Sequence, residues 1–315
     1  MRIGIDAMGG DFAPDAVVKG AILSLNYLPK DVTIVLIGDN ERIAPLLKSQ
    51  SYNIEQIEVI HTSQVIEMFE HPAKAFAQKP DSSIAVGFKM LKAKEIDVFG
   101  SAGNTGAMMA GTMYTIKAIP GILRPCIMAP IPRLNFDTPN TVLDVGINSD
   151  CKPDVLYQYG ILGSLYASNV YGIDNPRVGL MNIGEEEGKG NLLTKAAYDL
   201  MKDTNDFNFI GNIEGNDLYK GKADVVVCDG FTGNIVLKLS ESFYNIAVKK
   251  DIVDSFFDGF NYENQGGTMV LGVNEPVLIA HGISNDFAIK NLILQARNIV
   301  ETKLVDQIKQ AFHND

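Results

Sequence analysis

The chain has 315 residues, of which 46% are hydrophobic and 21% charged, a balance typical of a globular protein with a large core. Its net charge of −11 repels phosphates, and no basic run with interleaved aromatic residues offsets this, so we expect no nucleic acid partner. No apolar stretch approaches the ~18 residues of a spanning helix, and the N-terminus lacks a signal-peptide pattern. These features, with three widely spaced cysteines, predict a soluble cytoplasmic protein.

Short apolar runs alternate along the chain with amphipathic segments of helix length, which is typical of a parallel sheet covered by helices. The predicted strands are 3–6, 33–37, 57–60, 97–100, 141–145, 178–183, 225–228 and 277–280. The predicted helices are 14–28, 43–50, 83–93, 107–117, 154–168, 192–202, 235–248 and 287–308. We expect an α/β fold, a parallel-rich sheet flanked by helices, in a single domain over residues 1–315.

The proline-rich stretch 120–139 is the one candidate boundary within that domain. It is interpreted as a crossover between two subdomains, and it reads equally as a long surface loop or as a loop that faces an active site or a dimer partner.

Glycine-rich turns follow several predicted strands. Ligands of open α/β sheets bind at the carboxyl ends of strands, where the next helices present unpaired N–H groups. The turns are Gly9-Gly10-Asp11, Ser101-Ala102-Gly103-Asn104-Thr105-Gly106, Asp144-Val145-Gly146-Ile147-Asn148, Asn182-Ile183-Gly184-Glu185 and Asp229-Gly230-Phe231-Thr232-Gly233-Asn234.

Two of these turns are nearly the same sequence. Residues 97–106 and 224–233 are identical at five of ten aligned positions, including the Gly-x-Thr-Gly ending. Glycine lets backbone approach a ligand and a threonine hydroxyl donates to an oxyanion, so the pair predicts a doubled anion-binding site. The competing interpretation is a tight connection whose threonine caps a helix.

Familiar nucleotide and nucleophile motifs are missing. No G-x-G-x-x-G follows the first strand, the stretch 184–189 is not a P-loop, and no G-x-S-x-G is present. The four histidines have no obvious nucleophile beside them. We therefore expect no nucleotide cofactor and no covalent serine or cysteine catalysis.

The loop 182–191 joins three glutamates to one lysine. Lys189 lies between glycines and is able to reach a phosphate, while the alternative is a solvated lysine with glutamates that favour the next helix. A metal site on the glutamates is disfavoured, because consecutive side chains in a turn diverge. His281 follows a strand and precedes Gly282, and it is either a catalytic or a structural histidine.

The motif blocks together resemble the PlsX family of acyl-[acyl-carrier-protein]:phosphate acyltransferases. The matching blocks are Asp6 to Asp11, Ser101 to Ala107, Leu143 to Gly146 with Asn148, Asn182 to Glu186 with Lys189-Gly190, Asp224-Val225 with Asp229 to Asn234, and His281-Gly282. The resemblance runs from Met1 to about Arg297. It implies the fold of phosphate acetyltransferases and of isocitrate/isopropylmalate dehydrogenases, and a homodimer. The missing motifs predict no cofactor and no metal.

The resemblance also implies a reaction. Acyl carrier protein would donate an acyl group to inorganic phosphate, and a membrane acyltransferase that acylates glycerol 3-phosphate would consume the acyl phosphate. The predicted substrate-binding residues are Ser101, Gly103, Asn104, Thr105, Gly106, Gly184, Asp229, Gly230 and Gly233. The predicted catalytic residues are Lys189 for phosphate, Asn182, Thr232 and Asn234 for the oxyanion, and His281 for the leaving thiolate.

One segment departs from the family. Only 239–264 separates the Asp229 block from Gly266, where family members carry a longer helical hairpin linked to membrane association. The segment keeps an apolar set, Ile252, Val253, Phe256, Phe257 and Phe260, predicted to form a helical face for dimer packing or lipid. The alternatives for the whole chain are a coenzyme A-dependent phosphate acetyl- or butyryltransferase, a dehydrogenase, and a non-catalytic regulator that binds carrier protein.

Overall fold

The computed structural model describes residues 1–48 and 54–313. The chain divides into two compact units. Unit 1 comprises Met1–Lys117, Tyr262–Met269 and Val273–Lys303, and unit 2 comprises Ala118–Asn261, Val270–Gly272 and Leu304–Asp315.

Unit 1 holds a parallel sheet region. Its strands are β1 (Arg2–Asp6), β2 (Thr33–Gly38), β3 (Ile57–His61), β4 (Val98–Ser101) and β11 (Val277–Ile279). They lie side by side in the order β3-β2-β1-β4-β11, and each neighbouring pair is parallel. The carboxyl ends of β1, β4 and β11 therefore meet at one edge, and the turns that follow them are brought together.

The helices of unit 1 cover this sheet. They are α1 (Asp15–Ser24), α2 (Asn40–Lys48), α3 (Pro72–Gln78), α4 (Ser83–Lys92), α5 (Thr105–Gly111), α10 (Tyr262–Gln265) and α11 (Asp286–Glu301). A side chain at Gly20 would place its Cβ 2.6 Å from the Cβ of Ile289, so α1 and α11 pack with their backbones close. The core beneath them is aliphatic, with Ile3, Ile5 and Ile34 almost fully buried.

Unit 2 has a mixed sheet region. Its strands are β5 (Cys126–Ile131), β6 (Asn140–Leu143), β7 (Arg177–Met181), β8 (Asn208–Ile213) and β9 (Val225–Val227), in the order β5-β6-β9-β7-β8. β5 and β6 are antiparallel, and the other neighbouring pairs are parallel. A further strand, β10 (Thr268–Leu271), has residues in both units.

The helices of unit 2 are α6 (Pro153–Tyr171), α7 (Leu192–Met201), α8 (Gly230–Lys249), α9 (Ser255–Asp258) and α12 (Leu304–His313). The segment after α8 packs through aromatic rings. Phe260 is buried and its ring makes edge-on contacts with Phe243, Phe256 and Tyr219, at 5.0 to 5.9 Å between centroids. Such contacts fix the short segment against the rest of unit 2.

The structure confirms the predicted fold class. All predicted strands are present, with ends shifted by one or two residues. Three strands were not predicted, namely β5, β8 and β10. The stretch 120–139 therefore contains a strand and not only a loop. The last predicted helix is wrong as one element, because α11 ends at Glu301 and Lys303 takes a left-handed φ of 53° before α12.

Two further helix predictions need correction. The helix predicted over 43–50 begins at Asn40 and is seen to Lys48, while residues 49 and 50 lie outside the described residues. Ile252 and Val253 lie between α8 and α9, so they share no helical face with Phe256. Across the two described ranges, no helix has both the length and the apolar character to cross a bilayer.

Candidate active site

A buried carboxylate organises the turn after β4 in unit 1. Asp6, at the end of β1, is 1% exposed, and its Oδ2 accepts a hydrogen bond of 2.6 Å from the Ser101 hydroxyl. The Ser101 oxygen in turn accepts the Gly103 N–H at 2.9 Å, and Asp6 Oδ1 accepts the Met8 N–H at 3.0 Å. Burial raises the pKa of Asp6, against the lowering effect of these hydrogen bonds. The turn predicted to bind phosphate is thus held in place by Asp6 through the Ser101 hydroxyl.

The turn after β1 packs directly on the turn after β4. A Cβ added at Gly9 would lie 2.4 Å from Asp6 Oδ2 and 2.6 Å from the Gly103 nitrogen, so no side chain fits. Gly10 has a left-handed φ of 101°. The Asp11 N–H donates to the Gly282 carbonyl at 2.7 Å, which brings the turn after β11 to the same edge.

The predicted phosphate-binding side chains of this turn differ in what they contact. Asn104 is buried and caps α5, with its Oδ1 accepting the Ala107 N–H at 3.0 Å and its Nδ2 directed at the carbonyls of Glu67, Met68 and Glu70. Thr105 is exposed, and its hydroxyl has no protein partner among the described residues. Gly106 packs against Pro72, where a Cβ would clash. Asn104 therefore supports the turn, and Thr105 is accessible to a ligand.

His281 lies at the same edge of unit 1, after β11. Its ring packs edge-on against the ring of Tyr262, with 5.1 Å between centroids, and its carbonyl accepts the Ser284 N–H. The residue is half-buried. This placement is compatible with both the catalytic and the structural interpretation.

Unit 2 has its own buried carboxylate, Asp144, at the end of β6. Asp144 is 0% exposed and accepts the N–H groups of Ile127 at 3.0 Å and of Asn148 at 2.7 Å. The Asn148 amide donates to Asp144, to the Pro125 carbonyl and to the Tyr159 hydroxyl. Asp144 thereby ties the turn after β6 to β5, as Asp6 ties two turns in unit 1.

The first turn of α8 packs closely against Asp144. A Cβ at Gly233 would lie 1.9 Å from the Asp144 carbonyl oxygen, and one at Gly230 would lie 2.8 Å from Asp144 Oδ2. Asp229 caps the helix, accepting the Thr232 N–H at 2.9 Å and the Thr232 hydroxyl at 2.8 Å. The helix cap is thus Asp229, and the Thr232 hydroxyl already has an acceptor. Asn234 is exposed and donates to the Val145 carbonyl at 3.2 Å.

Two of the three glutamates in the loop after β7 form ion pairs. Glu185 pairs with Lys222 at 2.7 Å, and Glu187 pairs with Lys202 at 3.1 Å. The Asn182 amide donates to the Lys189 carbonyl and to Asn212 Oδ1, so both of its hydrogens are used. A Cβ at Gly184 would lie 2.9 Å from Glu186 and 3.0 Å from the Lys189 side chain.

Lys189 differs from its acidic neighbours in this loop. Its side chain is exposed, and within residues 1–48 and 54–313 its ammonium group has no hydrogen bond or ion pair. The same described residues contain no group of three or more side chains suited to a metal ion.

Three buried networks, centred on Asp6, Asp144 and Asp224, are absent from the residue-level predictions. Asp6 and Asp144 were noted only within motif blocks, although each is an acidic residue at a strand end before a glycine turn. Arg133 is 5% exposed and donates to Asp224 Oδ1 at 2.7 Å, while Arg177 donates to Asp224 Oδ2 at 2.9 Å. Asp224 begins one of the two repeated sequences, which was the available signal.

The chain shares its α/β fold with solved proteins that include phosphotransacetylases. A phosphotransacetylase structure from Streptococcus pyogenes superposes with a TM-score of 0.65 at 17% identity, covering 97% of this chain and 94% of that one. A 4-hydroxythreonine-4-phosphate dehydrogenase from Klebsiella pneumoniae superposes with a TM-score of 0.59 at 12% identity, covering 95% and 97%. At these identities the likeness shows the fold alone.

Sequence similarity shows the family to which the chain belongs. The sequence pattern of a family described as "Fatty acid synthesis protein" matches residues 1–307. A phosphate acyltransferase of Acetivibrio thermocellus is 42% identical, covering 100% of this chain and 97% of that protein. The chain belongs to this phosphate acyltransferase family, PlsX, and is an acyltransferase. The alignment spans 336 positions, so the relative has residues without a counterpart among these 315.

Proposed function

We propose that the protein transfers an acyl group from acyl carrier protein to inorganic phosphate. A phosphate oxygen attacks the thioester carbon, the carbon–sulfur bond breaks, and acyl phosphate and the free carrier thiol are released. The observation that supports this most directly is the exposed Thr105 hydroxyl, which has no protein partner within residues 1–48 and 54–313 and lies on a turn anchored by Asp6 and Ser101. Such a turn supplies a donor to an oxyanion without reorganisation.

Direct attack by phosphate agrees with the state of the cysteines. Burial raises the pKa of the Cys151 thiol to about 11, and burial raises the pKa of Cys126 and Cys228 well above the usual value. Near neutral pH these thiols are protonated and poorly nucleophilic. Phosphate is already anionic, and a thiol with a pKa of about 8.5 leaves readily, so no covalent enzyme intermediate is needed.

The contacts sort the candidate residues into two groups. Thr105 and His281 of unit 1 are exposed or half-buried, and we assign them contacts with ligand, Thr105 with phosphate and His281 with the thiolate. Lys189 and Asn234 of unit 2 are exposed, and we assign them ligand contacts within that unit, Lys189 with phosphate and Asn234, whose amide also donates to the Val145 carbonyl, with the oxyanion. Asn104, Asn182 and Thr232 make protein hydrogen bonds, and we assign them support of the turns. Ser101, Gly103, Gly106, Gly184, Asp229, Gly230 and Gly233 complete the proposed binding turns.

The proposal extends to location and partners. We propose a cytoplasmic homodimer that passes acyl phosphate to a membrane acyltransferase for phospholipid synthesis. The support is the family membership, the three unpaired cysteines, and the exposed apolar residues Phe231, Ile235 and Leu239 on α8, which lie at spacings of four. Docking of an acidic carrier protein needs local positive charge on this chain. Lys92 and the Lys249-Lys250 pair are exposed and are candidates to supply it.

One assay tests the reaction. The protein is mixed with palmitoyl-acyl carrier protein and phosphate, and acyl phosphate is trapped as hydroxamate with hydroxylamine. We expect hydroxamate that requires phosphate, and its absence with every donor would refute the proposed function. Palmitoyl coenzyme A is the matched donor, and efficient turnover with it would favour the coenzyme A-dependent alternative.

A further inference from the structure

The loop between β3 and α3 presents two large apolar side chains to solvent. Phe69 is 88% exposed and Met68 is 45% exposed, whereas Ile66 just before them is buried. All three lie in unit 1. An exposed phenylalanine is unremarkable alone, so its meaning depends on how the loop is held and what adjoins it.

Hydrogen bonds and an ion pair hold the backbone of this loop in place. The Asn104 amide nitrogen lies 3.1 Å from the Glu67 and Glu70 carbonyls and 3.2 Å from the Met68 carbonyl. Glu70 Oε2 accepts the Glu67 N–H at 2.8 Å and pairs with Lys79 at 2.5 Å. These bonds hold the backbone of the loop, while the side chains of Met68 and Phe69 stay exposed.

The loop adjoins the proposed site through two contacts. Asn104, which binds the loop, directly precedes Thr105 and caps α5. A Cβ added at Gly282 would lie 2.8 Å from Met68 Cε, so Met68 rests against the residue that follows His281. Ile283, the next residue, is 52% exposed. We call Met68, Phe69 and Ile283 the apolar rim.

We propose that the apolar rim contacts the hydrocarbon chain of the acyl donor and sets its preferred length. The inference rests on the proposed function. If the thioester carbon of the donor is bound beside Thr105, the hydrocarbon chain attached to that carbon must lie on the neighbouring protein surface. Burial of methylene groups against apolar side chains is favourable in proportion to the area covered. A short acyl group covers little of the rim, and a long one covers more.

The experiment compares chain lengths in Phe69→Ala, Phe69→Leu and the wild type. The kcat/KM is measured for butanoyl, octanoyl and hexadecanoyl groups on one carrier, with phosphate-dependent hydroxamate as the readout. We expect Phe69→Ala to lower kcat/KM for the hexadecanoyl donor by about 10-fold or more and to leave the butanoyl donor within about 2-fold. Phe69→Leu should restore most of the loss, and the KM for phosphate should stay unchanged.

Tyr27→Ala is the matched control, since Tyr27 is 59% exposed but precedes β2 at the opposite edge of the sheet. Binding of S-hexadecyl and S-butyl phosphopantetheine thioethers, which cannot react, repeats the comparison by calorimetry without turnover.

Equal losses of kcat/KM at all chain lengths, or no loss at any chain length, overturn the inference. The inference is also overturned if Phe69→Ala leaves the dependence on chain length unchanged but alters sedimentation or vesicle binding. Altered sedimentation would identify a second copy of the chain as the occupant of the apolar rim, and altered vesicle binding would identify lipid. Wild-type protein that binds the long thioether preferentially but forms no hydroxamate refutes only the proposed function.

Discussion

Ser101 and Asp6 share a short hydrogen bond between neighbouring parallel strands, with 2.6 Å between the serine oxygen and the carboxylate. The pairing of Ile5 with Gly100 places the two side chains at the same level of the sheet. Since Gly103 donates to the same serine oxygen, one hydroxyl links the end of β1 to the turn after β4.

Replacement of this serine tests the link. Ser101→Ala removes one donor and one acceptor and leaves the buried Asp6 carboxyl and Gly103 N–H without that partner. We expect a loss of about 1–3 kcal/mol in the free energy of unfolding, measured with urea, and a raised KM for phosphate. Ser255→Ala, at an exposed serine on α9, should change stability by less than about 0.5 kcal/mol. Equal stability of the two variants would show that the Asp6 contact is dispensable.

The two threonines of the repeated turns should respond differently. The Thr105 hydroxyl has no partner among the described residues, so Thr105→Val should leave stability unchanged. It should raise the KM for phosphate by about 10- to 100-fold, as expected when a hydrogen bond to a charged group of about 1.5–3 kcal/mol is lost. Thr232→Val removes the donor to Asp229 and should cost about 1 kcal/mol of stability. Steady-state kinetics with varied phosphate and thermal unfolding measure both. Wild-type kinetics in Thr105→Val would remove this residue from the site.

Gly233 should not tolerate any side chain. A Cβ there would lie 1.9 Å from the backbone oxygen of Asp144, which cannot swing away as a side chain would. We expect Gly233→Ala to lower the free energy of unfolding by about 3 kcal/mol or more. Gly188→Ala is the control, because a Cβ at Gly188 has no neighbour within 4 Å. A urea midpoint for Gly233→Ala equal to that of the control would contradict the close packing of α8 on Asp144.

The Arg133–Asp224–Arg177 network predicts a pH dependence. Burial alone would raise the pKa of Asp224, but hydrogen bonds from Arg177 and Arg133 outweigh burial and hold the pKa below its usual value. A lowered folded-state pKa stabilises the protein above the unfolded value of about 3.9, and this contribution is lost as the pH falls through the folded-state pKa.

Substitution of the buried arginine tests that network. Arg133→Met should cost about 3–5 kcal/mol at neutral pH, because Asp224 then keeps only the partly exposed Arg177. The difference from wild type should begin to shrink as the pH falls below the unfolded-state value of about 3.9, and it should be lost as the pH falls through the lowered folded-state pKa of Asp224. Denaturant unfolding at neutral and acidic pH measures this, with Arg297→Met at a partly exposed arginine as the control. A difference that does not depend on pH would assign the loss to packing alone.

Local pattern was enough for the parallel α/β architecture and for the glycine turns at the strand ends. Apolar runs such as Ile34 to Ile37 are buried throughout, and each predicted strand is present. The strand β5 escaped prediction because Pro130 suggests a loop, whereas its antiparallel partner β6 supplies the pairing. Likewise, the periodicity of 287–308 carries no sign of the left-handed turn at Lys303.

The sequence by itself determined the strands, the turns and the chemical types of residue that follow them, because hydrophobic period and glycine placement are local properties. Only the tertiary structure decided which of those side chains have protein partners. Asn104 and Thr105 are adjacent, yet Asn104 is held by the carbonyls of the 67–70 loop and Thr105 faces solvent. A hydrogen bond between residues more than thirty positions apart depends on how the chain brings them together, and no short stretch of sequence encodes that distance.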